Sequence, residues 1–518
     1  SIIWQFTMKF HSKIIERLLP YNTRRRRYYN LGLNGGKILI NDGWDSFWWN
    51  FNGYLRGRKL NRQIRKNVQN PQHFRIMEIF SKKIQLPQDS LGFLQIMDTI
   101  PNPNNFSDLT NIEKLKFTQP AAPIVSIIIP VYNKWQYTYN CLKSILENTE
   151  DIPYEIIIAN DCSTDSTDEM LKKIEGIKAI KNEHNLGYLK NCNNAVNLAN
   201  GQYVLYLNND TYVKKGWLES LLEPVIKNDN VAIVGPNIIS TEGKLLENGW
   251  IIGIDGWGLP IGRGDDPSKY EYNYLKEVDC VTGACLLIKK EVFMKAGLFD
   301  ERFSPAYYEE FDFAFSVKKL GYKVVVQPKA QVIHYDNSSY GKDTRDRLSV
   351  NNHQKFMDRW SGILKNRPKR YYDYFFARDN LCGENVILII DDKVPDYDKY
   401  AGSLMMYQYV KLFHEMGFKV IFLPDNLERM EPYTQELQQL GIEVIYGTYD
   451  FDSWIQNNGK YLDIILLSRP LVSIKYIDKI KANSKAKILY CMHDLHYLRE
   501  LRRYEIEKYD HILKESQK

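Results

Sequence analysis

Between residues 124 and 340 short apolar runs alternate with stretches whose apolar residues recur at helical spacing. Val125 to Ile129 is apolar apart from Ser126 and ends at Pro130, the pattern of a strand buried on both faces. Trp135, Tyr139, Leu142 and Leu146 then follow at the spacing of one helix face. Tyr154 to Ala159, Ile177 to Ile180, Tyr203 to Leu207 and Val231 to Gly235 predict further strands, with helices opening after Asp165 and after Gly187. Repeated strand–helix units imply a mostly parallel sheet with right-handed crossovers, so the loops after the strands gather on one edge. Beyond these, Val281 to Leu287 and Lys323 to Gln327 read as strands. A helix between them opens with Glu309, Glu310 and Asp312 and stops at Gly321.

A second alternating region begins later. Val386 to Ile390, Lys419 to Leu423, Glu443 to Tyr446, Ile464 to Leu467 and Lys487 to Cys491 predict a five-strand Rossmann-like layer. No Gly-x-Gly-x-x-Gly appears, which speaks against dinucleotide binding. Ahead of both, Ile14, Ile15, Leu18 and Leu19 are spaced as on a helix, and prolines at 101, 103, 120 and 123 mark a linker. The expected organisation is a mainly helical segment and linker at 1–118, an α/β domain at 119–365, a basic, Tyr-rich linker at 366–384, and a second α/β domain at 385–518.

Composition narrows the function classes. With 518 residues, 44% hydrophobic and 25% charged, this is a globular chain too long for one core. A net charge of +6 is mild at that length and argues against a dedicated nucleic-acid binder. The seven cysteines contain no Cys-x-x-Cys pair, so reduced thiols in a cytoplasm are the expected state. No apolar run reaches the roughly 18–20 residues needed to cross a bilayer. The run Arg24 to Arg27 precedes Trp44, Phe47, Trp48, Trp49 and Phe51. Such a set suits either peripheral docking on an anionic membrane face or a solvated basic surface over an aromatic core. The chain opens Ser1-Ile2-Ile3-Trp4, with neither an initiator Met nor a signal-peptide pattern, as a fragment of a longer protein would.

Candidate chemistry collects at the predicted sheet edge. Tyr132, Asp161 and Asp210 each end a strand, where open α/β sheets bind ligands. A nucleotide lying across them would meet a ring at Tyr132, an acceptor for an imide at Asp161, and a metal ligand at Asp210. The ordinary alternatives are packing, a helix cap and a turn former. The glycine-rich, aromatic stretch 248–264, with Trp250, Trp257 and Arg263, suits a lid over a sugar or a structured loop. Glu309, Glu310 and Asp312, set between aromatics, are more acid than a helix dipole needs, and burial would raise one toward a useful base. His334 follows the last strand of this region.

Assembled in order, these residues resemble the family 2 glycosyltransferases of the GT-A fold, including rhamnosyltransferase-like and O-antigen or capsule enzymes. The matching blocks run from Val125 to Asn133, Asn160 to Asp165, Asn185 to Gly187, Leu207 to Asp210, Thr282 to Cys285, Gly297 to Phe303 and Glu309 to Asp312. The resemblance implies a nucleotide-diphospho-sugar donor (UDP, dTDP or GDP) held by Pro130, Tyr132, Asp161, Asn185, Gly187, Asn208 and Asn209. It further implies Mg²⁺ or Mn²⁺ on Asp210 and His334, Glu310 as catalytic base, and a glycan or lipid-linked acceptor near Trp257, Glu309 and Asp312. Two departures stand out. The usual Asp-x-Asp is Asn208-Asn209-Asp210, and Glu310 replaces the usual Asp. The expected reaction is a single in-line displacement that inverts the anomeric centre, performed in the cytoplasm or at the inner membrane face. A nucleotidyltransferase is disfavoured by the Glu309–Asp312 block, and a silent sugar-binding or scaffolding module is the alternative from another class. The blocks Asp391 to Pro395, Gly402-Ser403 and His493 to Arg499 resemble the amino-terminal half of a GT-B glycosyltransferase, expected to be catalytically incomplete as supplied.

Overall fold

The computed structural model of this chain describes residues 102–103, 113–336, 342–367, 374–379, 385–491 and 502–504. The helical pattern at 14–19, the arginine run, the aromatics at 44–51, Cys382 and the 493–499 block lie outside them. Leu86–Lys518 form one compact unit.

In chain order the first part of that unit contains β1 (Val125–Val131), α1 (Trp135–Asn148), β2 (Tyr154–Asn160), α2 (Thr167–Leu171), β3 (Lys178–Lys181), α3 (Tyr188–Ala195), β4 (Tyr203–Leu207), β5 (Thr211–Val213), α4 (Trp217–Lys227) and β6 (Val231–Ile239). It continues with β7 (Leu245–Glu247), β8 (Trp250–Ile252), β9 (Gly258–Pro260), β10 (Lys276–Glu277), β11 (Cys285–Lys289), α5 (Lys290–Ala296), α6 (Glu309–Lys319), β12 (Lys323–His334) and α7 (Lys342–Leu364). The sheet runs β10-β12-β6-β11-β4-β1-β2-β3, with β5 pairing β12 and β7 pairing β6. β1 lies at its heart, paired in parallel to β2 and to β4, and all seven of its residues are buried. That double covering is why its sequence is apolar apart from Ser126, whose buried hydroxyl donates to Glu155 Oε1 at 2.6 Å. β3, at the edge, alternates half-buried and exposed positions. Pairing to β4 ends at Ile128, so Pro130 lies past that ladder, where its missing N–H breaks no bond on that side.

β11 enters antiparallel between β4 and β6. It begins only at Cys285, not at Val281 as the apolar pattern predicts. Ahead of Cys285 the ladder frays: Ala284 O still accepts from Asn208 N–H at 2.9 Å, in register with the Cys285–Leu207 pair, whereas Thr282 N–H turns away to Glu247 Oε1 at 3.1 Å. The stretch 248–264 is structured, with β8 and β9 forming an antiparallel hairpin.

The remainder holds α8 (Tyr374–Arg378), β13 (Val386–Asp391), α9 (Ala401–Glu415), β14 (Lys419–Pro424), α10 (Tyr433–Gln439), β15 (Glu443–Val444), α11 (Phe451–Asn458), β16 (Ile464–Ser468), α12 (Pro470–Asn483) and β17 (Lys487–Cys491). Five parallel strands run in the order β15-β14-β13-β16-β17. This sheet joins the first through a buried charged cluster. Arg378 donates to both oxygens of Glu443 (2.6 and 2.7 Å) and to Glu271 (3.0 Å), while Asp379 accepts from Tyr274 Oη (2.5 Å) and Lys419 Nζ (3.1 Å). Each charge there has an opposite partner, without which its burial would cost several kcal/mol.

Candidate active site

At the carboxyl end of β1 and β2, short polar side chains knit loop to loop. Asn133 Oδ1 accepts from Thr164 N–H (2.7 Å) and Asp165 N–H (3.2 Å), and Ser163 Oγ accepts from Asn133 N–H (2.8 Å). Tyr132, next in the chain to Asn133, is 39% exposed. Pro130 is buried in β1.

Asp161 follows β2 and is only 4% exposed. It caps no helix. Its Oδ1 accepts from Asn182 Nδ2 (2.9 Å) and Leu186 N–H (2.8 Å), and its Oδ2 accepts from Gly187 N–H (2.9 Å). The carboxylate is thus the anchor of the 185–187 loop, which carries the exposed Asn185. Gly187 N–H also reaches Asn185 Oδ1 at 3.1 Å. Gly187 has φ +79°, and a Cβ there would lie 2.5 Å from Pro305 Cβ, so only glycine lets this loop pass so close to the chain leading into α6.

After β4, the three residues of Asn208-Asn209-Asp210 diverge. Asn208 is tied through its backbone to Ala284, and Asn209 Nδ2 donates to Thr138 Oγ1 on α1 at 3.0 Å. Asp210 Oδ1 lies 3.1 Å from His334 Nε2 at the end of β12, brought there by the β5–β12 pairing that sets His334 beside Thr211. Burial by itself would lower the His334 pKa, but the Asp210 charge and hydrogen bond, with Asp336 and Glu247 nearby, raise it overall. An oxygen and a nitrogen so placed suit a shared divalent cation. Among the described residues no group of three His, Cys, Asp or Glu side chains converges, so this pair is at most part of a coordination shell.

The second acidic centre opens α6. Glu309 is 5% exposed, and Glu309 Oε2 and Glu310 Oε2 are buried with no hydrogen-bond partner among the described residues. Burial raises both carboxyls; the adjacent Glu310 charge pushes Glu309 further, well above the usual carboxylate range. Tyr188, whose hydroxyl donates to Gly283 O at 3.1 Å, packs close enough for both glutamates to act on it. Asp312 does not join this centre. Its Oδ1 accepts from Trp360 Nε1 at 2.7 Å and its Oδ2 lies 3.1 Å from Arg359 Nη1, which ties α6 to α7. Trp257 is half-buried, its ring stacked on His353 with centroids 4.2 Å apart.

Glu247, at the end of β7, is a site residue the sequence reading passes over. Its Oε2 accepts from Trp250 Nε1 (2.8 Å) and its Oε1 from Thr282 N–H, and burial pushes its pKa up to about 7. It acts electrostatically on His334, while the Trp250 ring that it holds lies tilted against Phe311 at 5.4 Å, next in the chain to Glu310. The available signal was a lone carboxylate beside Trp250 within an otherwise apolar stretch.

Residues 126–297 match the profile described as "Glycosyl transferase family 2". The O-antigen biosynthesis protein of Myxococcus xanthus is 27% identical over 243 residues, 44% of this chain and 19% of that protein. The N-acetylglucosaminyl-diphospho-decaprenol L-rhamnosyltransferase of Mycobacterium tuberculosis is 24% identical over 271 residues, 46% of this chain and 86% of that one. The crystal structure of GalNAc-T7 with UDP, GalNAc and Mn²⁺ aligns at a TM-score of 0.40 and 17% identity, over 60% of this chain and 59% of that one. The chain spans about a fifth of the length of its O-antigen relative. The ordered motifs, the strand-end geometry and the profile agree that residues 126–297 are similar to the family 2 glycosyltransferases.

Proposed function

We propose that this domain is an inverting, metal-dependent transferase of the GT-A fold. It moves a sugar from a nucleotide-diphosphate donor to a hydroxyl of a glycan or lipid-linked acceptor in surface-polysaccharide biosynthesis. The observation that carries the reading is the Glu309–Glu310 pair, each with one buried oxygen that has no hydrogen-bond partner among the described residues, in the same domain as the Asp210–His334 contact. Buried carboxylates left without partners are costly to the fold and are kept where chemistry uses them.

In this reading the donor nucleoside lies against Tyr132, and Asp161 acts at one remove by holding Asn185 and Gly187 in place. Asp210 and His334 fit a hard divalent ion whose remaining ligands are phosphate oxygens and water. When bound, Mg²⁺ or Mn²⁺ would neutralise the charge that develops on the departing diphosphate. Glu310 takes the proton of the acceptor hydroxyl as that oxygen attacks the anomeric carbon. The bond to the diphosphate breaks on the opposite face, which inverts the centre. Trp257 and Glu309 line the acceptor side.

The five-stranded parallel sheet is read as Rossmann-like, the amino-terminal half of a GT-B domain. Its candidate ligand edge lies where the strand order reverses between β13 and β16, at Asp391, Asp392 and Arg469. No helix among the described residues is long and apolar enough to cross a membrane. Cytoplasmic action with peripheral contact through the basic amino-terminal segment is the proposed setting. A silent sugar-binding or scaffolding module is the second reading, favoured by the single carboxylate of Asn208-Asn209-Asp210.

The deciding experiment offers a panel of UDP-, dTDP- and GDP-sugars with acceptor glycans and follows release of nucleoside diphosphate with Mn²⁺, Mg²⁺ or EDTA. Metal-dependent release with one nucleotide, abolished in Glu310→Gln, is the expected result. Donor binding without release across the panel would establish the silent module instead.

A further inference from the structure

We propose that the consecutive residues Asn352 and His353 of α7 are positioning residues that hold the Glu309–Glu310 carboxylates and the Trp257 ring in one fixed arrangement. The inference rests on the transferase reading of that pair and names what keeps it in place.

α7 buries a stripe at four-residue steps: Asn352, Phe356, Trp360 and Leu364. Three of these are apolar or aromatic, as a core-facing stripe should be. Asn352, 1% exposed, is the exception, and a buried amide is unfavourable unless its groups are bonded. They are. Nδ2 donates toward the carbonyls of Phe303 (2.7 Å), Ala306 (3.0 Å) and Tyr307 (2.9 Å), and Oδ1 accepts from Lys355 Nζ (2.8 Å). The three carbonyls belong to the turn that leads into α6. In that turn Tyr307 and Tyr308 take φ +73° and +76°, left-handed values that bulky residues hold only where their surroundings impose them. The Asn352 amide supplies that constraint, and Glu309 and Glu310 follow directly.

His353 grips the second loop. Its ring stacks on Trp257 at 4.2 Å with an interplanar angle of 11°, and its Nε2–H donates to Asp255 O at 2.7 Å. Tyr308 completes the connection: its hydroxyl donates to Gly256 O at 3.3 Å, and its ring stands edge-on to His353. About two turns further along α7, Trp360 and Arg359 hold Asp312. The acid helix and the aromatic loop are therefore referred to one another through a single rigid element. Proton abstraction from a bound hydroxyl needs such a reference, because a misplacement of about 1 Å costs roughly a hundredfold in rate.

The test uses the full chain and two readouts, hydrogen–deuterium exchange and steady-state turnover with the donor that the panel identifies. Asn352→Ala is expected to speed amide exchange across 303–312 at least about tenfold while leaving β1 unchanged. It should lower kcat about 10- to 100-fold with the donor KM held within about threefold, and shift the acid limb of the kcat profile. His353→Ala should raise the acceptor KM and lower kcat, and His353→Phe, which keeps a flat ring against Trp257, should restore most of the loss. Unchanged exchange at 303–312 in Asn352→Ala overturns the proposal, and so does a rise of equal size in β1 accompanied by loss of donor affinity, which marks general unfolding. Should no donor turn over in the unsubstituted protein, the transferase reading fails, while the exchange pattern still decides whether Asn352 constrains the turn.

Discussion

Asp161 and Glu309 are almost equally hidden from solvent, at 4% and 5% exposure, yet their surroundings treat them in opposite ways. Asp161 receives three hydrogen-bond donors from the 182–187 segment. Glu309 keeps one oxygen with no partner among the described residues and has a second carboxylate as its neighbour in the chain. A buried carboxylate whose two oxygens are both met by donors from another segment is a structural hub, whereas one that keeps an oxygen unmet beside a second carboxylate is held toward its protonated form. Burial alone does not separate the two; whether each oxygen finds a donor does.

The largest break in that comparison is expected from Glu310→Gln, which removes the proposed base and keeps the shape. Turnover should fall about a thousandfold with donor affinity within about twofold, read from steady-state kinetics and donor titration. Retention of more than about a tenth of the activity would exclude Glu310 as the base.

Asp210→Ala should lower metal-supported turnover about a hundredfold, whereas Asn209→Ala removes only a hydrogen bond to Thr138 and should cost about 1 kcal/mol of stability. Equal losses of turnover from the two would count against Asp210 as the charged metal ligand.

Asp161→Ala strips three donors of their acceptor at once and is expected to destabilise the fold by about 2–4 kcal/mol, with faster exchange across 182–187. Denaturant unfolding that matches the parent within about 0.5 kcal/mol would remove Asp161 from its hub role.

The smallest effect is in pH dependence. Burial raises Glu309 and Glu310 above their unfolded values, so the folded chain binds more protons than the unfolded one from about pH 4.5 upward. Their contribution is complete below the unfolded pKa and is lost as pH rises through the folded values. Glu309→Gln should therefore unfold less readily than the parent at pH 8 relative to pH 4, by roughly 1 kcal/mol or more. Parallel stability curves for the two proteins would show that Glu309 titrates as an ordinary surface carboxylate.

Much of this was legible before any fold was known. Apolar runs at 203–207 and 386–390, and the one at 125–129 broken only by Ser126, are satisfied as strands covered on both faces, and they are so covered. Acids set between aromatics at 309–312 marked a centre where burial would act on charge. The contacts of Asp312 with Trp360 and Arg359 were not legible, because α7 lies 47 and more residues further along. Glu247 was passed over because a single carboxylate in a short strand has no spacing that distinguishes it. Asn352 was equally silent, since its partners stand 45 to 49 residues away.

By itself, then, the sequence determined the alternation of strands and helices, the edge on which the loops gather, and the residue types offered there, because periodicity and turn chemistry are local properties of the chain. Only the tertiary structure decided which carboxylates became hubs and which were left unpartnered. Hydrogen-bond donors arrive from segments distant in sequence, and desolvation exists only once those segments have closed around the charge.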